Sequence, residues 1–239
     1  MAETKEGRKP DLFTLEQLNA LGYGVEGEQA IAHHRPLLIC DVDEVVMDLV
    51  DPFVMVLEER GFELKSHSFK LTGNVFDRET GREATQEEVW AGLTQLFEEQ
   101  EQRQGLVEGV ADGLAHIAES CDILFLTNMP HAYGDTRRAY LAANGIPYPL
   151  VTNSRSKAPA ISIIADHCRA GAGFVDDTPK NLDHVREAVP AVQLFHFMAN
   201  DDFRKLAGEI EGVAFSSGDW GHAGPEIARI LVENKGKTS

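Results

Sequence analysis

Leu37-Leu38-Ile39-Cys40-Asp41-Val42-Asp43-Glu44-Val45-Val46 is the stretch that decides how this chain folds. Its first four residues are an unbroken apolar run, which reads as a buried strand. The run ends in two carboxylates at positions i and i+2. A carboxylate at the end of a buried strand is costly unless hydrogen bonds, a cation or chemistry compensate it. In an open parallel α/β sheet, that end of the strand faces the crevice where ligands bind.

Working outward, three more short apolar runs follow, Asp122 to Leu126, Ala172 to Val175 and Val192 to Phe197. Helical patterns separate them, at Val110–Ser120, Thr136–Asn144, Pro159–Cys168, Leu182–Val189 and Pro225–Glu233. Strands alternating with helices predict an α/β fold with a doubly wound, Rossmann-like parallel sheet. The stretch from Met47 to Gly105 breaks the alternation and is too long for a simple crossover. It reads as a mostly helical cap inserted after strand 1. Within it, Asp51–Arg60 is expected to be a helix with Asp51 as N-cap and Pro52 at N1. Phe69–Phe76 with the turn Asp77–Arg82 predicts a hairpin, and Thr85–Gln104 a helix opened by a Thr85/Glu88 capping box. Thr14–Leu21 is a short helix with Thr14 as N-cap. The expected organisation is an N-terminal extension over 1–35, a core over 36–46 and 106–239, and a cap over 47–105.

The 239 residues carry a formal net charge of −17. Such a surface repels nucleic acid and anionic membranes, so neither is an expected partner. An anionic substrate then needs local compensation from a metal, a Lys or backbone N–H groups. The three cysteines, Cys40, Cys121 and Cys168, have no metal-type spacing, which suits a reducing compartment. No leader-like or membrane-length apolar run is present, and a cytoplasmic location is expected.

Chemistry-bearing residues recur at the predicted strand ends. Asp41 and Asp43 follow the first strand, Thr127 and Asn128 the second, Asp176 and Asp177 the third. Lys157 stands just before a predicted helix N-terminus, with Arg155 as a competing cation. In a doubly wound sheet these positions converge. Several carboxylates in one cleft repel one another, and Mg²⁺, which prefers hard oxygen ligands, resolves the conflict. A metal also lets an acidic cleft accept a phosphate. One carboxylate can then attack phosphorus, and a second, two residues on, can carry the proton. A hydroxyl such as Thr127 can hold phosphoryl oxygens, and Lys157 can offset their charge.

The ordered set DVDEVV, LFLTN, Lys157 and FVDDTPKN resembles the four motifs of the haloacid dehalogenase superfamily. The second Asp of the first motif places the resemblance in the phosphatase branch. The likeness covers roughly Leu37 to Phe197 and leaves the cap unassigned. It implies Asp41 as nucleophile and Mg²⁺ ligand, and Asp43 as general acid/base with its main-chain carbonyl on the metal. It implies Thr127 and Lys157 on the phosphoryl group; Asn128, from its place after Thr127, is expected to contact the substrate or shape the loop. Asp177 would bind Mg²⁺ directly and Asp176 directly or through water. Glu44 departs from the small residue common at that position. The expected activity is hydrolysis of a small phosphorylated metabolite. A phosphotransferase or phosphomutase of the same fold and a non-catalytic phosphate-binding module are the alternatives. The substrate and the oligomeric state are not legible in the sequence. The cap cations Arg60, Lys65, Lys70, Arg78 and Arg82 could serve a substrate or pair with neighbouring acids.

Overall fold

In the computed structural model, residues 9–24, 34–65 and 73–235 are described. The opening run forms β1 (Leu37–Cys40), and all four of its residues are buried. Burial on both faces explains why the run does not alternate with polar residues. Leu38 and Cys40 join one apolar cluster, which includes Leu114 of α5 (Val110–Ala118) and Ile227 of α10 (Trp220–Glu233). Leu37 and Ile39 join the opposite cluster with Leu18 of α1 (Leu12–Ala20), Ile161 of α7 (Ala158–Ala165) and Val185 of α8 (Pro179–Ala188).

Six strands make the main sheet, in the order β5-β4-β1-β6-β7-β8. They are β4 (Asp122–Asn128), β5 (Leu150–Asn153), β6 (Ala172–Asp176), β7 (Gln193–Phe197) and β8 (Val213–Ser217) around β1. Every pairing in it is parallel. The chain runs outward from β1 through β4 to β5, then crosses back to β6 on the other side of β1. Such a reversal opens a crevice at the carboxyl ends of β1, β4 and β6. α6 (Gly134–Ala143) links β4 to β5, and α9 (Asp201–Ala207) follows β7.

The insertion leaves the core after β1 and returns beside its own point of departure. Asp48 N donates to Gly105 O and Val107 N to Val46 O, both at 3.0 Å. Between these points lie α2 (Val50–Glu59), the antiparallel pair β2 (Phe62–Leu64) and β3 (Val75–Asp77), α3 (Gln86–Glu98) and α4 (Gln100–Arg103). All but α4 share an apolar core of their own around Phe53, Leu57, Val75 and Leu96.

Several local expectations change. The expected hairpin strand Phe69–Phe76 is realised as β3 paired with the earlier β2, and positions 69–72 lie outside the described residues. The cap of α1 is Asp11, which accepts from Thr14 N at 2.9 Å, and Thr14 lies inside the helix. The Thr85/Glu88 capping box is present, but the long helix it opens breaks at Glu99 into α3 and α4. Asp51 sits within α2 and does not cap it. α10 begins at Trp220, with Asp219 accepting from Gly221 N at 2.8 Å, and Pro225 lies inside it. The N-terminal helix packs on the core: Thr14 Oγ1 donates to Thr152 O at 3.0 Å, and Gln17 Nε2 bonds Thr152 Oγ1 at 3.0 Å.

α5 and α10 cross where two glycines meet. A Cβ on Gly224 would lie 2.8 Å from Gly113 Cα and 2.9 Å from Gly113 O. Neither is a side-chain atom that can swing away. Gly224→Ala is therefore expected to destabilise the fold by about 1–3 kcal/mol through overpacking. A denaturant midpoint identical to wild type would show that the helices do not cross this closely.

Candidate active site

The C-terminal ends of β1 and β6 bring acids together. Asp41, Asp176 and Asp177 each place a carboxylate oxygen within 4.8 Å of the others. Lys157, at the N-terminus of α7, is almost fully buried and points into them. Its Nζ lies 2.6 Å from Asp41 Oδ1 and 2.6 Å from Asp176 Oδ2. Lys157 is thus the cation that reaches Asp41; Arg155 contributes its main-chain oxygen to Asn153 Nδ2 at 2.5 Å.

The remaining contacts separate the acids. Asp41 Oδ1 also accepts from Val42 N at 2.7 Å, which leaves Oδ2 outside both contacts. Asp176 is held from several sides, by Thr178 N at 2.9 Å, by Asn181 Nδ2 at 3.0 Å and by Lys157. Asp177 accepts from Thr178 Oγ1 at 3.0 Å through Oδ1. The main-chain carbonyl of Asp177 accepts from His196 Nε2 at 3.0 Å. A carbonyl cannot donate, so the His196 proton is on Nε2, and Nδ1 accepts from Ser216 Oγ at 2.9 Å. Burial holds the His196 pKa below its ordinary value, in keeping with that neutral ring.

The electrostatics ask for more positive charge than Lys157 provides. Burial pushes the Asp41 pKa up, and Asp176 and Asp43 add to this, although Lys157 opposes it. Asp177 is raised well above the carboxylate range by burial first, then by Asp176 and Asp41. For Lys157, burial favours the neutral amine, but Asp176 and Asp41 outweigh it and raise the pKa. Three hard oxygen donors with excess negative charge fit a divalent cation.

Asp43 is arranged differently. Its two oxygens each lie 2.9 Å from Arg137 Nη1, and its Oδ1 accepts from Gln104 Nε2 at 3.0 Å. Arg137, on α6, is 0% exposed. Its Nε donates to Gln100 Oε1 at 2.9 Å and its Nη2 to Gln104 Oε1 at 2.7 Å. The buried guanidinium thus ties Asp43 of the core to the C-terminal end of the insertion. Sequence reasoning missed Arg137, Gln100 and Gln104. Thr127 is fully buried, and its hydroxyl lies 3.4 Å from Asp43 Oδ2. Asn128, at the exposed end of β4, accepts from Asn153 Nδ2 at 2.6 Å.

Glu44, the departure in the first motif, has a backbone φ of 61°. That left-handed conformation is uncommon outside glycine and strains a side-chain-bearing residue. It turns the carboxylate back onto the insertion. Glu44 Oε1 accepts from Leu49 N at 2.8 Å and Val50 N at 2.5 Å, and Oε2 from Asn200 N at 3.1 Å. Glu44 therefore does for α2 what Asp51 was expected to do. Burial raises its pKa, and those three amides oppose the rise.

A chamber of about 320 Å³ opens over these groups. Asp41, Asp43, Asn128, Lys157, Asp177 and Asn181 form part of its floor.

No family model matches the sequence, and no curated protein does. Solved structures match by shape. A conserved haloacid dehalogenase-like protein of unknown function from Agrobacterium tumefaciens has a TM-score of 0.57 at 13% identity, over 82% of this chain and 99% of that one. A haloacid dehalogenase-family hydrolase from Deinococcus radiodurans, with bound phosphate and sodium, has a TM-score of 0.54 at 13% identity, over 84% and 98%. A hydrolase of that family from Bacillus subtilis, bound to magnesium, has a TM-score of 0.55 at 12% identity, over 83% and 99%. The chain has the haloacid dehalogenase-like fold, a parallel Rossmann-like core with an insertion after β1. Among the described residues, no helix is long and apolar enough to cross a membrane.

Proposed function

We propose that this chain is a Mg²⁺-dependent phosphatase that hydrolyses a small phosphomonoester through an aspartyl-phosphate on Asp41. The observation that carries the proposal is Asp41 itself. It stands at the head of the central strand, 2.6 Å from a buried Lys, with two further acids in reach. Asp41 Oδ2 attacks phosphorus as the ester P–O bond breaks, and Asp43, freed from Arg137 and entering the step protonated, gives that proton to the departing oxygen. Water then attacks the acyl phosphate, Asp43 takes its proton, and inorganic phosphate leaves. Lys157 keeps Asp41 oriented and faces the phosphoryl group with positive charge. Thr127 and Asn128 flank the phosphoryl position from the end of β4.

Mg²⁺ would be held by the carboxylates of Asp41 and Asp177 and the main-chain carbonyl of Asp43, with Asp176 assisting. When bound it would neutralise the acids and the phosphoryl oxygens together. The phosphorylated substrate is a small metabolite, and the setting is the cytoplasm.

The decisive assay measures Mg²⁺-dependent phosphate release across a panel of phosphorylated metabolites, with and without an alcohol acceptor. Free phosphate supports hydrolysis, whereas a new ester formed in proportion to acceptor would mark a phosphotransferase. A separate thermal measurement tests the metal assignment. Mg²⁺ should raise the melting temperature of wild type by mass action and leave Asp177→Asn unmoved. Equal shifts in both proteins would remove Asp177 from the metal site.

A further inference from the structure

The floor of the chamber is polar, but its roof is not. Trp90, Leu93 and Phe97 of α3 face it from the insertion, and Val50, Met198 and Phe203 close another side. The last three form a buried apolar cluster that joins insertion to core. Trp90 is 51% exposed, although it is among the largest apolar side chains in the protein. Trp90 keeps half its surface exposed while lining the chamber beside Leu93 and Phe97, and large apolar groups lining a pocket commonly serve a ligand.

The cations of the insertion are engaged elsewhere. Arg60 bonds Gln95 Oε1 at 3.2 Å, and Lys65 pairs with Glu63 at 2.7 Å. Arg78 pairs with Glu58 at 2.6 Å, and Arg82 with Glu88 at 2.9 Å. Lys70 lies outside the described residues. Among the described residues, Lys157 is the one basic side chain lining the chamber, and Asp41 and Asp176 already hold it. Glu44 also lines the chamber, with its oxygens turned to backbone amides.

We infer that the substrate, beyond its phosphoryl group, is uncharged and apolar: an alkyl or aryl phosphomonoester whose leaving group seats against Trp90, Leu93 and Phe97. The inference rests on the phosphatase reading for the placement of the phosphoryl group on the floor. A second anion on the leaving group would meet Glu44 and find, among the described residues that line the chamber, no cation besides Lys157, which Asp41 and Asp176 already hold. A polyhydroxylated leaving group would give up water without gaining partners on the roof, and unpaired polar groups are penalised on burial. An apolar group loses nothing there and gains burial.

Binding tests this separately from turnover. Calorimetry with the full chain and Mg²⁺ compares benzylphosphonate and hexylphosphonate, which cannot be hydrolysed, with phosphonoacetate. The two apolar ligands should bind at least about tenfold more tightly, the scale on which apolar pockets discriminate. Trp90→Ala should erase most of that preference, and its half-exposed position makes loss of folding unexpected. Equal affinity for all three ligands, or tighter binding of phosphonoacetate, overturns the inference. So does a preference that survives Trp90→Ala. In parallel, phosphate release from benzyl phosphate and glucose 6-phosphate, both esters of primary alcohols, reports on the reaction. If benzylphosphonate is preferred and neither ester is hydrolysed, the apolar chamber stands and the phosphatase reading fails. If both are hydrolysed and glucose 6-phosphate is the better substrate, that reading stands and the apolar leaving group is wrong.

Discussion

Asp41→Asn should abolish phosphate release while leaving the fold intact or firmer. Losing a nucleophile costs at least about 10³-fold in turnover, because the amide cannot form the acyl phosphate. The stability side follows from the pair that surrounds it. Asp41 lies 2.6 Å from Lys157, but Lys157 keeps Asp176 at 2.6 Å when Asp41 is neutralised. The folded protein holds a proton on Asp41 more tightly than the unfolded chain does, since burial raises its pKa. The stability Asp41 contributes is therefore complete below the ordinary carboxylate range and declines as the pH rises through the raised value. The Asn variant removes that decline, so without metal at neutral pH its melting temperature should equal or exceed that of wild type. Two measurements decide the matter, phosphate release with Mg²⁺ and a thermal melt in chelator. Equal turnover in the two proteins would rule Asp41 out as nucleophile.

The second large effect belongs to Arg137. Arg137→Met leaves the Asp43 carboxylate, with Gln100 and Gln104, facing an apolar stump in a site with no exposure on the arginine side. Breaking a buried ion pair from one side costs about 3–5 kcal/mol. In a chain of this size that is a fall of about 6–20 °C in melting temperature. The double variant Arg137→Met/Asp43→Leu should recover much of the loss, since no buried charge is then left unpaired. A single variant within about 1 kcal/mol of wild type would mean that Gln104 and Thr127 satisfy Asp43 without Arg137. The same contacts constrain the chemistry. Both oxygens of Asp43 face Arg137, so in the proposed reaction Asp43 would have to leave at least one of these contacts to reach a leaving oxygen.

Asp41, Asp176 and Asp177 were legible because apolar strands announce where their polar ends lie, and Lys157 because of its spacing before the acidic pair at a predicted helix N-terminus. Arg137 was not. On α6 it is one of two adjacent arginines, and nothing in the local pattern singles it out. It is enclosed by Asp43 of the core and by Gln100 and Gln104, which arrive from the far end of the insertion. β5 was missed because Leu150–Asn153 is short and follows a proline-rich turn. β8 was missed because it is an edge strand without a continuous apolar run. The N-terminus of α2 was misread for a related reason. Local rules pointed to Asp51, whereas the amides are satisfied by Glu44, which only the backbone reversal at that residue aims at them.

That reversal makes Glu44 a fixed socket. One carboxylate, adjoining Asp41 and Asp43 in sequence, receives the leading amides of the insertion and an amide of the loop after β7. The joint between the two parts of the protein is thus written into the loop that follows β1. An insertion transplanted from another protein of this fold would seat here only if it presented two free backbone amides where Leu49 and Val50 now stand. Exchanging the roof to change what the chamber accepts should therefore begin after Val50 and end before Gln100, so that the socket and the arginine anchor stay with the core.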